Sequence, residues 1–584
     1  MLKRILTWTG IACGLFVVYM LLQLFWPAGP IKVSRETTFI TEPLADDGLP
    51  NYSGYLLAHM REGVTPENNG AIPFLQAMWP AGLDPTEQQL VCNELGMEMP
   101  GEEGLGSRDS NRQLMSDLRE WCGLVPEPEP TSGEFDQVGF AGDDDSDPEY
   151  DLLDAIETGP WTAEDAAPMA HWLEEHGWHF DLLYEAVERD KFYFPSPTLL
   201  ADPKASLLSM TNPGAHALRS AANRLRLRAN LRLGSGDIRG AWNDCRVIYQ
   251  LADVSTHSTV LCGLMASKRE EVGNAALLNI LQSPEITPEL ANEITKFLAA
   301  RRPQHNMRDI LATGARVEFI SDLLSIAGYR GDEPKAASGW AAPRVEDEEE
   351  EPKVDWTAVL RIANEHYDLF LEAVNQPTYD QQQQALATWA DAIDAGATKP
   401  GWAKMMLSRN TRSEYTAYSL QQILGFTYVQ GLKYEQNNLA YRQLHQTAVA
   451  LSRYQLATGE YPESLEALIP KYLDALPIDP FDRPIVYQRT TDGYLLYSLG
   501  ANGIDEGGSS DELRLLQGYP IPEDEAAEKK LRQRLGESVV DVESEDFDDT
   551  LVIDESFGLE QKSDDIAIRL PLLEVPIPKF ERDE

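Results

Sequence analysis

Three residues whose side chains commonly bind zinc lie close together in the first half of the chain. His171, Glu175 and His179 follow one another at intervals of four residues, and on a continuous helix such residues share one face. They could hold a zinc ion and leave its fourth position to water, as hydrolytic sites require. Gly177 lies between Glu175 and His179 and should weaken or end the helix. The pattern therefore favours an exposed helix end, and a metal-dependent hydrolase stays as the alternative.

A second acidic pattern has the ligand spacing of an EF-hand calcium loop, with carboxylates at Asp143, Asp145, Asp147, Glu149, Asp151 and Asp154. The sixth position is Pro148, where the loop needs glycine, and the twelfth is Asp rather than Glu. This favours an acidic linker without metal. The sequence has no G-x-S-x-G elbow of a serine hydrolase, no HExxH and no phosphate-binding glycine loop. We therefore expect a protein without a recognisable catalytic site.

The charge of the chain excludes one class of partner. Its 584 residues contain 49 Lys and Arg against 95 Asp and Glu, which gives a net charge of -46. Such a surface repels phosphate backbones, so we expect no nucleic-acid binding. The hydrophobic fraction of 43% is enough for buried cores. The length predicts two or three domains.

An uncharged run near the N-terminus predicts a membrane anchor. Lys3 and Arg4 precede residues 5–26, which carry no charge and are long enough to span a bilayer. The basic residues should stay in the cytoplasm. The run predicts a single-pass protein of the cytoplasmic membrane, with a periplasmic or otherwise extracytoplasmic ectodomain and the lipid bilayer as a partner. A cleaved signal peptide, or a lipoprotein modified at Cys13, is the competing interpretation.

Four cysteines lie beyond this run: Cys92, Cys122, Cys245 and Cys262. An oxidising compartment would permit two disulfides, and the sequence does not choose among the three pairings. Four buried thiols are an equally weighted interpretation. If a helical hairpin turns near residues 254–257, Cys245 and Cys262 should face each other.

The spacing of apolar residues predicts a mainly α-helical ectodomain. Ala241, Trp242, Cys245 and Ile248 follow the helical period after a Gly236-Asp237 break. Acidic stretches without apolar periodicity predict linkers. The expected organisation is an anchor at 1–30, an N-terminal segment at 31–123, a linker at 124–160, a helical domain at 161–330, a second linker at 331–355, a helical segment at 356–430, a small α+β head at 431–508, and an acidic disordered insertion at 509–563.

The C-terminal part contains the densest set of motifs. An amphipathic helix ends at Gly459 and is followed by Tyr461-Pro462. Two β-like runs, 485–488 and 494–498, flank Asp492-Gly493, which is a hairpin signal. A glycine-rich loop then runs from Leu499 to Gly508.

These motifs resemble the globular head of the major pseudopilins of type II secretion systems. The residues that match are Tyr461, Pro462, Leu465, Leu468, Leu476, Pro477, Asp479, Pro480, Pro484, Tyr487, Tyr494, Ser498, Gly500, Gly503, Gly507 and Gly508. The resemblance implies a closing strand within 564–572, displaced by the insertion. In that family the final loop binds calcium, so the resemblance implies Asn502, Asp505 and Asp564 or Asp565 as Ca²⁺ ligands. Hard oxygen donors of this kind suit calcium.

The whole layout is similar to a family of large, uncharacterised, membrane-anchored bacterial proteins. The shared features include Thr37-Thr38, Gly63-Val64-Thr65-Pro66 and the Gly-Asp…Ala-Trp hairpin. The resemblance implies architecture and no activity. We expect a scaffold or interaction protein of the cell envelope with envelope protein partners. A metal-dependent hydrolase and an accessory component of a secretion or pilus-like assembly are the alternatives.

Overall fold

The fold is mainly α-helical, as the sequence predicts. The structure is a computed structural model. It describes scattered positions between residues 8 and 20, and then residues 29–580 apart from 102, 125–147, 203, 206, 208–209, 255–258, 302–305, 330–353, 509–564 and 573–576.

The helices of the described residues follow one another as α1 (Arg35–Thr38), α2 (Tyr52–Met60), α3 (Ala71–Met78), α4 (Pro85–Leu95), α5 (Arg108–Trp121), α6 (Pro148–Thr158), α7 (Ala167–Glu175), α8 (Gly177–Glu188), α9 (Pro197–Ala201), α10 (Pro213–Gly234), α11 (Ile238–Asp253), α12 (Val260–Gln282), α13 (Pro288–Ala300), α14 (Met307–Ala312), α15 (Gly314–Ile326), α16 (Trp356–Val374), α17 (Tyr379–Ala397), α18 (Trp402–Leu407) and α19 (Arg409–Thr458). A short 3-10 helix, Leu465–Leu468, leads to β1 (Val486–Arg489), β2 (Tyr494–Ser498) and β3 (Ile566–Leu570).

Local sequence signals fix many of the helix starts. Asp84 caps α4 by accepting hydrogen bonds from the backbone N–H groups of Thr86 and Glu87, and Pro85 occupies the first helical position. Thr287 caps α13 in the same way, ahead of Pro288. Such caps satisfy backbone donors that have no partner inside the helix, so they set where each helix begins.

Two large hydrophobic clusters make up most of the core of the described residues, and α19 contributes to both. Tyr441 and Leu444 belong to the larger cluster, which extends from α3 to the β-strands. Tyr428 and Leu432 belong to the second, which gathers α14 to α17. At 50 residues, α19 is about 75 Å long. One helix therefore joins the two cores and ends beneath the sheet.

Helices α10, α11 and α12 pack closely on one another within the larger cluster. Trp242 of α11 is fully buried there, as its helical spacing predicts. Asp244, also buried, accepts hydrogen bonds from Arg228 and Arg232 of α10. These buried ion pairs fix the orientation of the two helices, because an unpaired charge at that depth would cost several kcal/mol.

The strands form one antiparallel sheet in the order β1-β2-β3. Val486 lies opposite Tyr497 across the β1–β2 hairpin, and the Asp492-Gly493 turn joins its two strands, as predicted. β3 pairs with the other edge of β2, where Leu496 lies opposite Ile568. β3 falls within residues 564–572, the segment from which a closing strand was expected.

The prediction of a single-pass membrane protein is wrong. Among the residues that the structure describes, no helix has both the length and the hydropathy to cross a lipid bilayer. The prediction relied on the absence of charge over residues 5–26, most of which lie outside the described residues. This finding contradicts both the predicted membrane anchor and the cytoplasmic-membrane localisation derived from it.

The linkers and boundaries differ in detail from the expected organisation. Part of the stretch at 124–160 is helix α6, which buries Leu152, Leu153 and Ile156 against the larger cluster. The boundary expected at residue 430 falls inside α19. The linker residues 331–353 and the insertion at 509–563 lie outside the described residues.

The four cysteines are buried thiols. The Cys245 Sγ atom lies 3.5 Å from the carbonyl oxygen of Gly273, in the middle of α12. Cys262 lies in the first turn of α12, where its Sγ accepts a hydrogen bond from the Asn212 side chain. The two cysteines therefore do not face each other, because Cys245 packs against the middle of α12 whereas Cys262 lies in its first turn.

Candidate functional site

The loop after β2 brings together the predicted calcium ligands Asn502 and Asp505. Gly500, Gly503, Gly507 and Gly508 have positive φ angles, which fold the loop tightly. Asp505 Oδ1 accepts hydrogen bonds from the Tyr497 hydroxyl at 2.9 Å and the Gly507 N–H at 3.0 Å. Asn502 Oδ1 accepts a hydrogen bond from the Ile504 N–H, and its amide nitrogen donates to Glu506.

Asp565 reaches the same loop from the start of β3. Its Oδ2 atom accepts hydrogen bonds from the N–H groups of Glu506 and Gly508, at 3.0 and 2.8 Å. Burial raises the pKa of Asp565 to about 7, and the charges of Glu506 and Asp505 add to this effect. Glu506 was not among the predicted ligands, although its position beside Asp505 is a sequence signal. Asp564 lies outside the described residues.

These oxygens do not form a recognisable metal site. In the part of the chain that the structure describes, no three side chains of His, Cys, Asp or Glu are placed to hold a metal ion. Within the loop, the carboxylates of Asp505 and Asp565 accept hydrogen bonds from backbone N–H groups. The loop does, however, concentrate negative charge around one buried carboxyl group, and that arrangement can attract a cation.

The residues of the predicted zinc triad are separated by a helix break. His171 and Glu175 form an exposed pair on α7, with 3.2 Å between Nε2 and Oε1. α7 ends at Glu175 and α8 begins at Gly177, as the glycine predicts. His179 is buried and stacks on Trp178. Burial and the neighbouring His176 lower its pKa to about 4. The geometry therefore does not assemble the triad.

A buried ionic cluster centred on Glu270 was not predicted. Glu270, in the middle of α12, is 1% exposed. Its carboxylate accepts hydrogen bonds from Arg442 Nε and Nη2, at 2.7 and 2.6 Å, and from Arg301 Nη1 at 2.8 Å. Arg301 also holds Asp253, at the end of α11, through two further hydrogen bonds. The cluster links α11, α12, the end of α13, and α19.

The cluster keeps Glu270 ionised. Burial opposes its charge, but the hydrogen bonds from Arg442 and the charges of Arg301 and Arg442 lower the pKa to about 2. Bidentate pairing with a guanidinium is the geometry in which a buried carboxylate is best compensated.

A cavity of about 180 Å³ opens beside this cluster, between α11, α12, α13 and α19. Its lining combines apolar, amide and charged side chains: Tyr249, Glu270, Asn274, Leu298, Ala299, Arg301, Arg442, His445 and Gln446. Concave sites that combine an apolar wall with a few convergent polar groups are typical of small-molecule binding.

The chain matches none of the known protein families, curated proteins or solved structures with which it was compared.

Proposed function

We propose that this protein is a helical scaffold or interaction protein that acts without catalysis. One feature carries the proposal: α19 takes part in both hydrophobic clusters and contacts β2 and β3 at its end. A continuous helix of this length holds the surfaces at its two ends at a fixed separation and rotation, which is what a scaffold must provide. The net charge of -46 favours partners with basic surfaces.

Crosslinking of the full chain in its native extract tests this proposal. We expect reproducible crosslinks to partner proteins that weaken as salt is raised, since exposed charge pairs are screened. A one-residue insertion in α19 after Gln436 should abolish them, because it rotates everything beyond it by about 100°. The same insertion after Gly328, beyond the end of α15, is the control and should preserve them. A chain that crosslinks only to itself, or whose partners ignore the α19 insertion, would contradict the proposal.

We also propose that the C-terminal part is a pseudopilin-like head with calcium in its final loop. The observation that favours calcium is the buried Asp565 carboxyl group, whose pKa is raised to about 7 by burial and by the nearby charges of Glu506 and Asp505. A cation there would replace the proton and relieve the repulsion. The three-stranded sheet against the end of α19 supports the resemblance in fold.

Calorimetric titration of the full chain with calcium chloride tests the second proposal. We expect saturable binding that Asp565→Asn abolishes, and a higher unfolding temperature of the sheet in millimolar calcium. Asp492→Asn, at the opposite end of β2, is the control and should leave binding unchanged. Equal heats for the wild-type chain and Asp565→Asn would refute calcium binding at this loop.

A further inference from the structure

The cavity beside Glu270 is lined by polar atoms that none of the described residues satisfies. Asn274 and His445 line it, and each is 2% exposed. The Nδ2 atom of Asn274 and the Nε2 atom of His445 have no hydrogen-bond partner among the described residues. Leaving such atoms buried and unsatisfied costs about 1–3 kcal/mol each. A ligand that supplied their partners would recover that free energy.

The chemistry that these two side chains require can be read from their other contacts. Asn274 Oδ1 accepts a hydrogen bond from the Tyr249 hydroxyl at 2.8 Å, so its amide nitrogen remains to donate. His445 Nδ1 lies 2.7 Å from the carbonyl oxygen of Tyr441. A carbonyl oxygen only accepts, so Nδ1 carries the proton and Nε2 is an acceptor. Burial lowers the pKa of His445 to about 4, which keeps the ring neutral at pH 7.

The charge of the lining sets the sign of the ligand. Among the residues that line the cavity, Arg301 and Arg442 are cationic and Glu270 is anionic, so the lining itself carries one net positive charge within a chain of -46. Outside the lining, Asp253 pairs with Arg301. The buried Arg269 donates hydrogen bonds to the backbone carbonyls of Leu251 and Val254. Arg442 uses Nε and Nη2 for Glu270, and its third nitrogen makes no hydrogen bond to the described residues. An anion beside Arg442 would meet an available donor.

We infer that this cavity binds a small monocarboxylate that also carries a hydroxyl or amide N–H donor. The carboxylate would accept hydrogen bonds from Arg442 Nη1 and the Asn274 amide, and the donor would bond His445 Nε2. A cavity near 150 Å³ holds a molecule the size of benzene, so the space suits about six to ten non-hydrogen atoms. Leu298 and Tyr249 supply an apolar wall for the carbon skeleton.

Calorimetry with the full chain and matched small probes tests the inference. The probes are lactate and N-acetylglycine, their carboxamides, which lack the charge, and propionate, which lacks the hydroxyl of lactate. We expect saturable binding of at least one carboxylate below about 10 mM. Its carboxamide should bind about tenfold more weakly or worse, because a charge-assisted pair is lost. Propionate should bind several-fold more weakly than lactate, because His445 then stays unsatisfied.

Two variants separate the cavity from other surfaces. Gln446→Trp places a large ring at the exposed mouth and should abolish binding. Gln383→Trp, at an exposed position of α17, is the matched control and should bind like the wild-type chain. His445→Phe keeps the ring but removes the acceptor, so lactate and propionate should then bind equally.

Any one of the following results would overturn the inference. The first is that no probe carboxylate binds saturably, which would leave the cavity to water. The second is that carboxylates and carboxamides bind equally, or that binding survives Gln446→Trp. The third is that the preference for lactate over propionate persists in His445→Phe. Crosslinking to protein partners is a separate measurement, so the scaffold proposal stands or fails independently of this one.

Discussion

The Glu270 cluster predicts that one conservative substitution causes a large, pH-dependent loss of folding stability. Glu270→Gln keeps the size of the side chain and removes its charge, which leaves Arg301 and Arg442 facing a neutral amide. The pKa of Glu270 falls from an ordinary 4.5 to about 2. That shift corresponds to about 3 kcal/mol of stability at pH 7. The usual cost of removing one partner from a buried ion pair, about 3–5 kcal/mol, has the same size.

Native-state hydrogen exchange measures this cost locally in a chain of several cooperative units. Amides of α12 and of the second half of α19 should exchange about 100-fold faster in Glu270→Gln at pH 7. Glu271→Gln is the control: Glu271 pairs with Lys268 at the surface, at 3.0 Å. Surface pairs contribute about 0–1 kcal/mol, so exchange should rise less than about fivefold.

The pH dependence gives a sharper test. The folded pKa of Glu270 lies below its unfolded value, so its contribution is present above pH 4.5 and is lost as the pH falls towards 2. The difference between the wild-type chain and Glu270→Gln should therefore shrink to about 1 kcal/mol at pH 3. A difference that is absent at pH 7, or one that does not shrink on acidification, would refute the assignment of Glu270 as a charge stabilised by the two arginines.

Three further predictions concern other parts of the fold. Gly234→Ala places a Cβ atom 1.9 Å from the carbonyl oxygen of Trp161, so it should lower the free energy of unfolding by about 2 kcal/mol, measured by calorimetry. In the control Gly177→Ala, the new Cβ meets nothing within 4 Å, and the free energy of unfolding should change by less than about 1 kcal/mol. Asp244→Asn removes the charge held by the two arginines of α10 and should cost about 3 kcal/mol by urea unfolding, whereas Asp181→Asn at an exposed position of α8 should be neutral. The pKa of Asp565 is raised from 3.8 to about 7, so its contribution to stability is present below pH 3.8 and is lost as the pH rises through 7. Asp565→Asn should therefore reduce the fall of the unfolding temperature between pH 4.5 and 8. An unchanged fall would contradict this prediction.

Sequence patterns predicted the helical class because periodicity and burial agree. Ala241, Trp242, Cys245 and Ile248 follow the helical period, and all four are buried. The hairpin forms around Asp492-Gly493 because the turn residues and the flanking β-like runs point to the same structure. Helix α6 was missed because the acidic composition of its surroundings outweighed three apolar residues in its middle.

The length of α19 was obscured by its glycines. Gly425 and Gly431 lie inside the helix, where glycine usually weakens it. In the structure, a Cβ at Gly425 would meet Trp389 at 2.8 Å, and one at Gly431 would meet Val260 at 3.0 Å. Both glycines therefore serve close packing of neighbouring elements, which a single sequence does not reveal.

The candidate sites were predictable where their residues are neighbours in the chain, or where the pseudopilin resemblance connects distant positions, as it does for Asp565. Asn502 and Asp505 lie in one loop, so a local motif finds them. Glu270 lies 31 residues from Arg301 and 172 from Arg442. No local pattern connects positions so far apart, because the cluster exists only after α12, α13 and α19 have packed.

The continuity of α19 also restricts how this chain can change over evolutionary time. Each residue added to or deleted from a helix turns everything beyond it by about 100° and moves it by 1.5 Å. One such event between Tyr428 and Arg442 would carry the contacts on one side out of register with those on the other. Related proteins should therefore vary in length within their acidic segments and keep the length of this helix constant. The number of residues in the helix should be conserved more strongly than the identity of many of its side chains.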